Sequence, residues 1–226
     1  MKRILFICLA LLTVQPFLAQ AEMPAKGEIL QFGHYEQDGN PGNGPEPVEW
    51  MVLDAQEDAV QLLSLYGLDT IPFENGSYRS QWELCSLRAW LNDSFFADAF
   101  TSEEQAAIRL TVVPNDAAQS APKMNKDGGK DTEDHVFLLS YAEMMRFFPE
   151  KETRLCLPTP YAIERGAYTQ IRTGGCDWWL RSPGQSGRAA IVKTDMEGFD
   201  VMYAEVPSKT RCVRPTMWVY FQKNPQ

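Results

Sequence analysis

Histidine is almost missing from this chain: His34 and His135 are the only two in 226 residues. General-base chemistry near neutral pH leans on imidazole, and neither histidine stands in a motif with a nucleophile. Ser182 lies in Arg-Ser-Pro-Gly, not in a Gly-x-Ser-x-Gly elbow. There is no phosphate-cradling glycine loop, and the acidic run Asp127–Asp134 lacks EF-hand spacing. No paired carboxylates mark a glycosidase. Cysteines never fall in a C-x-x-C pair, so neither a zinc ribbon nor a thioredoxin-like site is indicated. Basic residues are also scarce, 21 against 30 acidic, for a net charge of −9. Such a chain repels phosphate backbones and anionic bilayers, which excludes nucleic acid and membrane-surface partners.

The first residues speak for an exported protein. Lys2-Arg3 is a short basic start, Ile4 to Val14 an apolar run too short to span a bilayer, and Ala19-Gln20-Ala21 a small-x-small cleavage pattern. Residues 1–21 are therefore expected to be a signal peptide, and residues 22–226 a single globular domain without membrane insertion. The remaining ~205 residues suffice for one full core. Cys8 leaves with the signal, so four cysteines remain: Cys85, Cys156, Cys176 and Cys212. In an oxidising compartment an even count predicts two disulfides, with the pairing open among three connectivities.

Period-two alternation organises the late sequence. In Trp178-Trp179-Leu180-Arg181, Trp178 and Leu180 share one face and Trp179 and Arg181 the other. In Cys212 to Phe221, Val213, Pro215, Met217 and Val219 oppose Arg214, Thr216, Trp218 and Tyr220. These two runs are predicted to lie side by side as the centre of an antiparallel sheet. Further strands are expected at 27–33, 48–54, 59–66, 109–113, 135–139, 189–194 and 200–206. Capping boxes at Ser80/Glu83, Thr101/Glu104 and Ser140/Glu143 open helices, and Thr159-Pro160 opens another that Gly166 ends. Pro114 to Glu133 holds almost no large apolar residue; it reads as a mobile loop that folding does not need.

Six blocks occur in order: Glu46-Pro47-Val48-Glu49-Trp50, Trp82 to Asn92, Val136 to Ser140, Pro158 to Ala162, Trp178 to Gly184 and Val213-Arg214-Pro215. Together they resemble an uncharacterised bacterial domain family marked by the same blocks, over about residues 27 to 222. That family in turn resembles the C-type-lectin-like fold of formylglycine-generating enzymes and bacterial surface-display proteins. The resemblance implies an α+β domain with a twisted antiparallel sheet, flanking helices and long ligand-binding loops. Fold likeness alone does not carry function. The lectin Glu-Pro-Asn calcium loop is missing, since Val48 follows Pro47, so no metal and no cofactor are expected.

Trp179, Arg181 and Trp218 have two roles open to them. As structure they fill the core and hydrogen-bond within it. As function they would line a ligand surface, because aromatics and arginine dominate binding hot spots. The functional expectation is an exported, non-enzymatic binding domain for a protein or glycan at the cell surface or envelope. The alternative is an enzyme related to formylglycine-generating oxidases, which would require a reachable thiol pair. A purely structural module of a larger assembly is a third.

Overall fold

The computed structural model describes residues 23–185, 187–195 and 198–221; the expected signal segment lies outside them. The chain is mixed α/β, with antiparallel sheets and short helices. Strands β1 (Ile29–Tyr35), β2 (Glu46–Ala55) and β3 (Ala59–Ser64) form successive hairpins. The turn-rich Gly-Asn-Pro segment joins the first two, and Gln56–Asp58 joins the second and third. Inward Val48, Trp50 and Val52 alternate along β2, as period two requires. Gly33 sits in the β1 bulge at φ 68°, where an added Cβ would stand 2.6 Å from the Phe100 ring. Only glycine fits there.

Short strands β4 (Thr111–Val113) and β5 (Thr132–Asp134) pair with each other. Strand β6 (Val136–Phe137) follows, then β7 (Trp178–Pro183), β8 (Arg188–Asp195), β9 (Gly198–Glu205) and β10 (Thr216–Tyr220). One sheet runs β1-β2-β3-β10-β6 and another β7-β8-β9. The two late tryptophan strands thus belong to different sheets, which corrects the expectation of a shared centre. Both edges of β10 are taken, by β3 and β6, while β7 is claimed by its sequence neighbour β8. The segment before β10 still touches β7 through a single parallel bridge, Trp178 to Cys212.

The expected division of faces on β7 holds. Trp179 packs into one core with Trp50, Phe73, Trp82, Phe95 and Met217. Trp178 and Leu180 pack into a second with Leu63, Met144, Cys156, Cys176 and Cys212. Every residue of β7 is buried.

Among the described residues lie five short α-helices: α1 (Ser86–Trp90), α2 (Phe96–Ala99), α3 (Ser102–Ala107), α4 (Tyr141–Phe147) and α5 (Pro160–Glu164). A wider π turn over Leu91–Phe95 fuses α1 to α2. The Thr101 and Ser140 capping boxes form as expected, and Thr159 caps α5. The Ser80 box does not. Cys85 caps α1 instead, its sulfur accepting from the Arg88 amide, while the Glu83 carboxylate accepts from Lys130 N at 3.1 Å. The Leu-Arg-x-Trp-Leu-Asn block grips β5 and β6. Asn92 spends its amide fully, donating to Arg88 O and Val136 O and accepting from the amides of His135 and Val136. One turn earlier, Arg88 Nε meets the buried Asp134 carboxylate at 2.6 Å, and Trp82 Nε1 donates to the same group at 2.9 Å.

Arg181, 1% exposed, ties these parts together. Its guanidinium forms a two-pronged ion pair with Glu143 at the start of α4. It also donates to Leu138 O at 2.8 Å and Pro114 O at 3.2 Å. Glu143 meanwhile accepts from Ser140 N as the capping-box acid. The segment 114–133 is therefore not a free loop. Asn115 is buried and donates to Val113 O and Lys130 O, and Ser182 Oγ donates to Gln119 O at 2.6 Å. The segment is built on polar hydrogen bonds, so its lack of apolar residues gave no sign of docking.

Burial alone would raise the Glu143 carboxyl, but the Arg181 charge and its hydrogen bonds outweigh that and hold it below the ordinary carboxylate range. A lowered folded-state value means the pair's stabilisation is complete above that range and is lost as pH falls through it. Glu143→Gln keeps the capping geometry but strands a buried guanidinium. It should cost about 3–5 kcal/mol at pH 7 and flatten the acid limb of stability in urea melts from neutral to acid pH. Equal stability and an equal acid slope in variant and parent would show the pair to be dispensable.

Candidate functional site

The residues expected to face a ligand face inward. Trp179 is 0%, Arg181 1% and Trp218 7% exposed. Trp179 Nε1 donates to Ile71 O at 3.1 Å, inside the first core. Trp218 lies under the Arg109 guanidinium, 4.5 Å from its ring centre. The structure thus places the three in the interior, each engaged with protein groups.

The expected disulfide framework is not formed: Cys85, Cys156, Cys176 and Cys212 are buried free thiols. Two bridges would need all four, and Cys85 belongs to the first core while the others share the second. Burial pushes the Cys85 thiol up to about 12, against the pull of the Arg88 amide bonded to its sulfur. His135 stacks on Phe96 with centroids 4.6 Å apart, and His34 is exposed at the end of β1. Among the described residues neither ring is hydrogen-bonded to a nucleophilic side chain; His135 Nδ1 lies 3.3 Å from Ile108 O.

A concave surface lies on the three-stranded sheet. A groove of about 500 Å³ is lined by Arg188, Tyr203, Ala204, Glu205, Pro207, Ser208 and Arg211. Strand register places Arg188 opposite Glu205, yet no ion pair joins them among the described residues. Arg188 is exposed and carries an uncommitted guanidinium. Arg211 is held from below: Nη1 reaches Asp177 Oδ2 at 3.3 Å and Thr210 Oγ1 at 2.9 Å. Its Nε is buried and has no hydrogen-bond partner. Ser208 and the half-buried Tyr203 add hydroxyls. Burial, then the neighbouring Tyr141, push the Tyr203 phenol up, so it stays a neutral donor. On a chain of net charge −9, the exposed Arg188 guanidinium gives this groove N–H donors suited to an anion, beside the Glu205 carboxylate and the Asp177-paired Arg211.

Two other polar gatherings are already satisfied. In a second groove, of about 410 Å³, Arg79 is paired with Glu74, and Asp127 offsets Lys126. Glu36, Asp38 and Glu46 bring carboxylate oxygens within 4.8 Å of one another. Those oxygens accept from the amides of Gln37, Gly39 and Asn40 and from Asn43 Nδ2, which shapes the glycine-rich turn.

Sequence reasoning missed the groove. Its residues come from β8, β9 and the turn after β9, and no motif links them. The available sign was charge: Arg188 and Arg211 are basic residues flanking strands of an acidic chain.

The fold and groove define a class: an α+β domain with antiparallel sheets and a solvent-open recess lined by two arginines and a glutamate. Residues 57–221, well over half of the chain, match a family described as a domain of unknown function, DUF6273. The chain belongs to that family. No curated protein matches it, and no solved structure does.

Arg188 is exposed and unpaired, so Arg188→Ala should leave the melting temperature unchanged. Arg211→Ala removes the guanidinium beside the buried Asp177 carboxylate and should cost about 1–3 kcal/mol. Equal effects of the two in thermal melts would contradict this division of labour.

Proposed function

We propose that the protein is an exported, non-enzymatic binding module of C-type-lectin-like architecture that recognises an acidic glycan at the cell surface or envelope. One observation carries the reading: the exposed Arg188 guanidinium, unpaired among the described residues, opens onto a groove that Arg211, Tyr203 and Ser208 also line. A planar guanidinium matches a carboxylate in a forked, two-bond geometry. Tyr203 offers a ring edge and a hydroxyl, and Ser208 a second hydroxyl, the mixture that suits a sugar bearing a carboxylate. Nucleic acid would bring a far larger negative field to a chain of −9 and is disfavoured. The oxidase alternative needs a reachable thiol pair, and no cysteine lines the groove.

Calorimetric titration with uronic-acid oligosaccharides and with their neutral counterparts tests this. Acidic chains should bind and neutral ones should not. Binding should weaken as salt rises, and Arg188→Ala should abolish it without loss of folding. Indifference to the carboxylate, or to Arg188, would end the proposal.

A further inference from the structure

The turn that joins β7 to β8 lies between two grooves. Arg188, the first residue of β8, lines the groove already described. Pro183, the last residue of β7, lines the second groove, together with Tyr78, Ser80 and Gln81. Gly184 N donates to Arg188 O at 2.8 Å, so the two walls are one tight hairpin apart. Each groove also has a tyrosine ring against a glycine of that turn. A Cβ on Gly184 would stand 2.6 Å from Tyr203 Cδ1, and one on Gly187, at φ 73°, 3.0 Å from Tyr78 Cδ1. Glycine at both places lets both rings close on the same turn.

Tyr78 is 72% exposed, the most of any aromatic residue among those described. Its mount is nevertheless fixed. Ser77 Oγ and Arg79 Nη2, on either side of it, donate to Glu74 Oε1 at 2.7 and 3.1 Å. Glu74 is buried; its Oε2 accepts from Ser86 N at 2.9 Å, and its own N donates to Val206 O at 3.1 Å. Val206 stands between Glu205 and Pro207, which line the Arg188 groove. The ring is thus positioned relative to that groove before any ligand arrives, which lowers the ordering cost of binding. The second groove differs from the first in charge. Arg79 is paired with Glu74, and Asp127 offsets Lys126. The Ser80 and Gln81 side chains make no hydrogen bond among the described residues. An exposed ring, a hydroxyl and an amide suit a neutral sugar, whose C–H face packs on the ring while its hydroxyls meet the polar groups.

Building on the acidic-glycan reading of the Arg188 groove, we infer that Tyr78 is the platform of a second subsite, which takes the neutral sugar next to the acidic one. The preferred ligand is a heteropolymer in which uronic acid and neutral sugar are adjacent, not a run of uronic acids. A second carboxylate would meet Asp127 and a guanidinium already held by Glu74.

The test is an NMR titration of the full chain with methyl glucuronide, a glucuronosyl-glucose disaccharide and a diglucuronic acid. The mixed disaccharide should bind about tenfold tighter than the monosaccharide, and it alone of those two should shift the Tyr78 ring resonances. Tyr78→Ala should erase the gain, and Tyr78→Phe, which keeps the ring, should retain it. The diuronic acid should gain less than the mixed disaccharide. A mixed disaccharide no tighter than the monosaccharide, an equal gain in Tyr78→Ala and parent, or a tighter diuronic acid would overturn the second subsite and leave the Arg188 groove standing. Equal binding of methyl glucuronide by Arg188→Ala and parent, or no binding of any probe, would overturn the acidic-glycan reading and this inference with it.

Discussion

The fold turns on a guanidinium that cannot reach water. Arg181 sits in the middle of β7, and every residue of that strand is buried. A charge there is tolerable because carbonyl oxygens from Leu138 and Pro114 and the Glu143 carboxylate take its two terminal nitrogens, although Nε is left without a partner. Each partner belongs to a different element, so satisfying one side chain fixes the start of α4, the end of β6 and the entry to the 114–133 segment against one strand. Hydrophobic burial drives those elements together, but it is non-directional. The hydrogen bonds to Arg181 supply the directions.

The same logic recurs at Asp134. Its carboxylate takes bonds from Arg88, Trp82 and Thr132, and through them the fused helix is set on the β4–β5 pair. Asn92, one turn from Arg88, completes the grip on the neighbouring backbone. Two cores and three sheets are thus held in register by a few buried polar groups, each with several partners. Groups of this kind stabilise little on average but penalise alternatives strongly, because any other arrangement leaves them unpaired.

What the sequence disclosed follows from which interactions are local. Strand alternation in β7, the existence of β2, the Thr101 and Ser140 capping boxes, and the Thr159-Pro160 helix start depend on residues a few positions apart, and they are legible. Strand partners depend on long-range competition. That is why β7 and β10, each readable as a strand, were wrongly paired with each other. The Ser80 box failed for a related reason: Glu83 found a better donor in Lys130, 47 positions away. Segment 114–133 was misjudged because polar docking leaves no hydrophobic pattern. The groove was invisible because its residues are collected by the β8–β9 register and by no motif.

Three arginines near the late strands show how environment decides what a guanidinium does. Arg181 is buried and finds a carboxylate, so its charge is structural. Arg188 is exposed; water solvates it at little cost, and its donors stay available to whatever enters the groove. Arg214 is buried as deeply as Arg181 but, among the described residues, meets one carbonyl and two aromatic rings and no carboxylate. Cation–π attraction of roughly 2 kcal/mol in a desolvated site falls short of the several kcal/mol needed to offset burial of an ion.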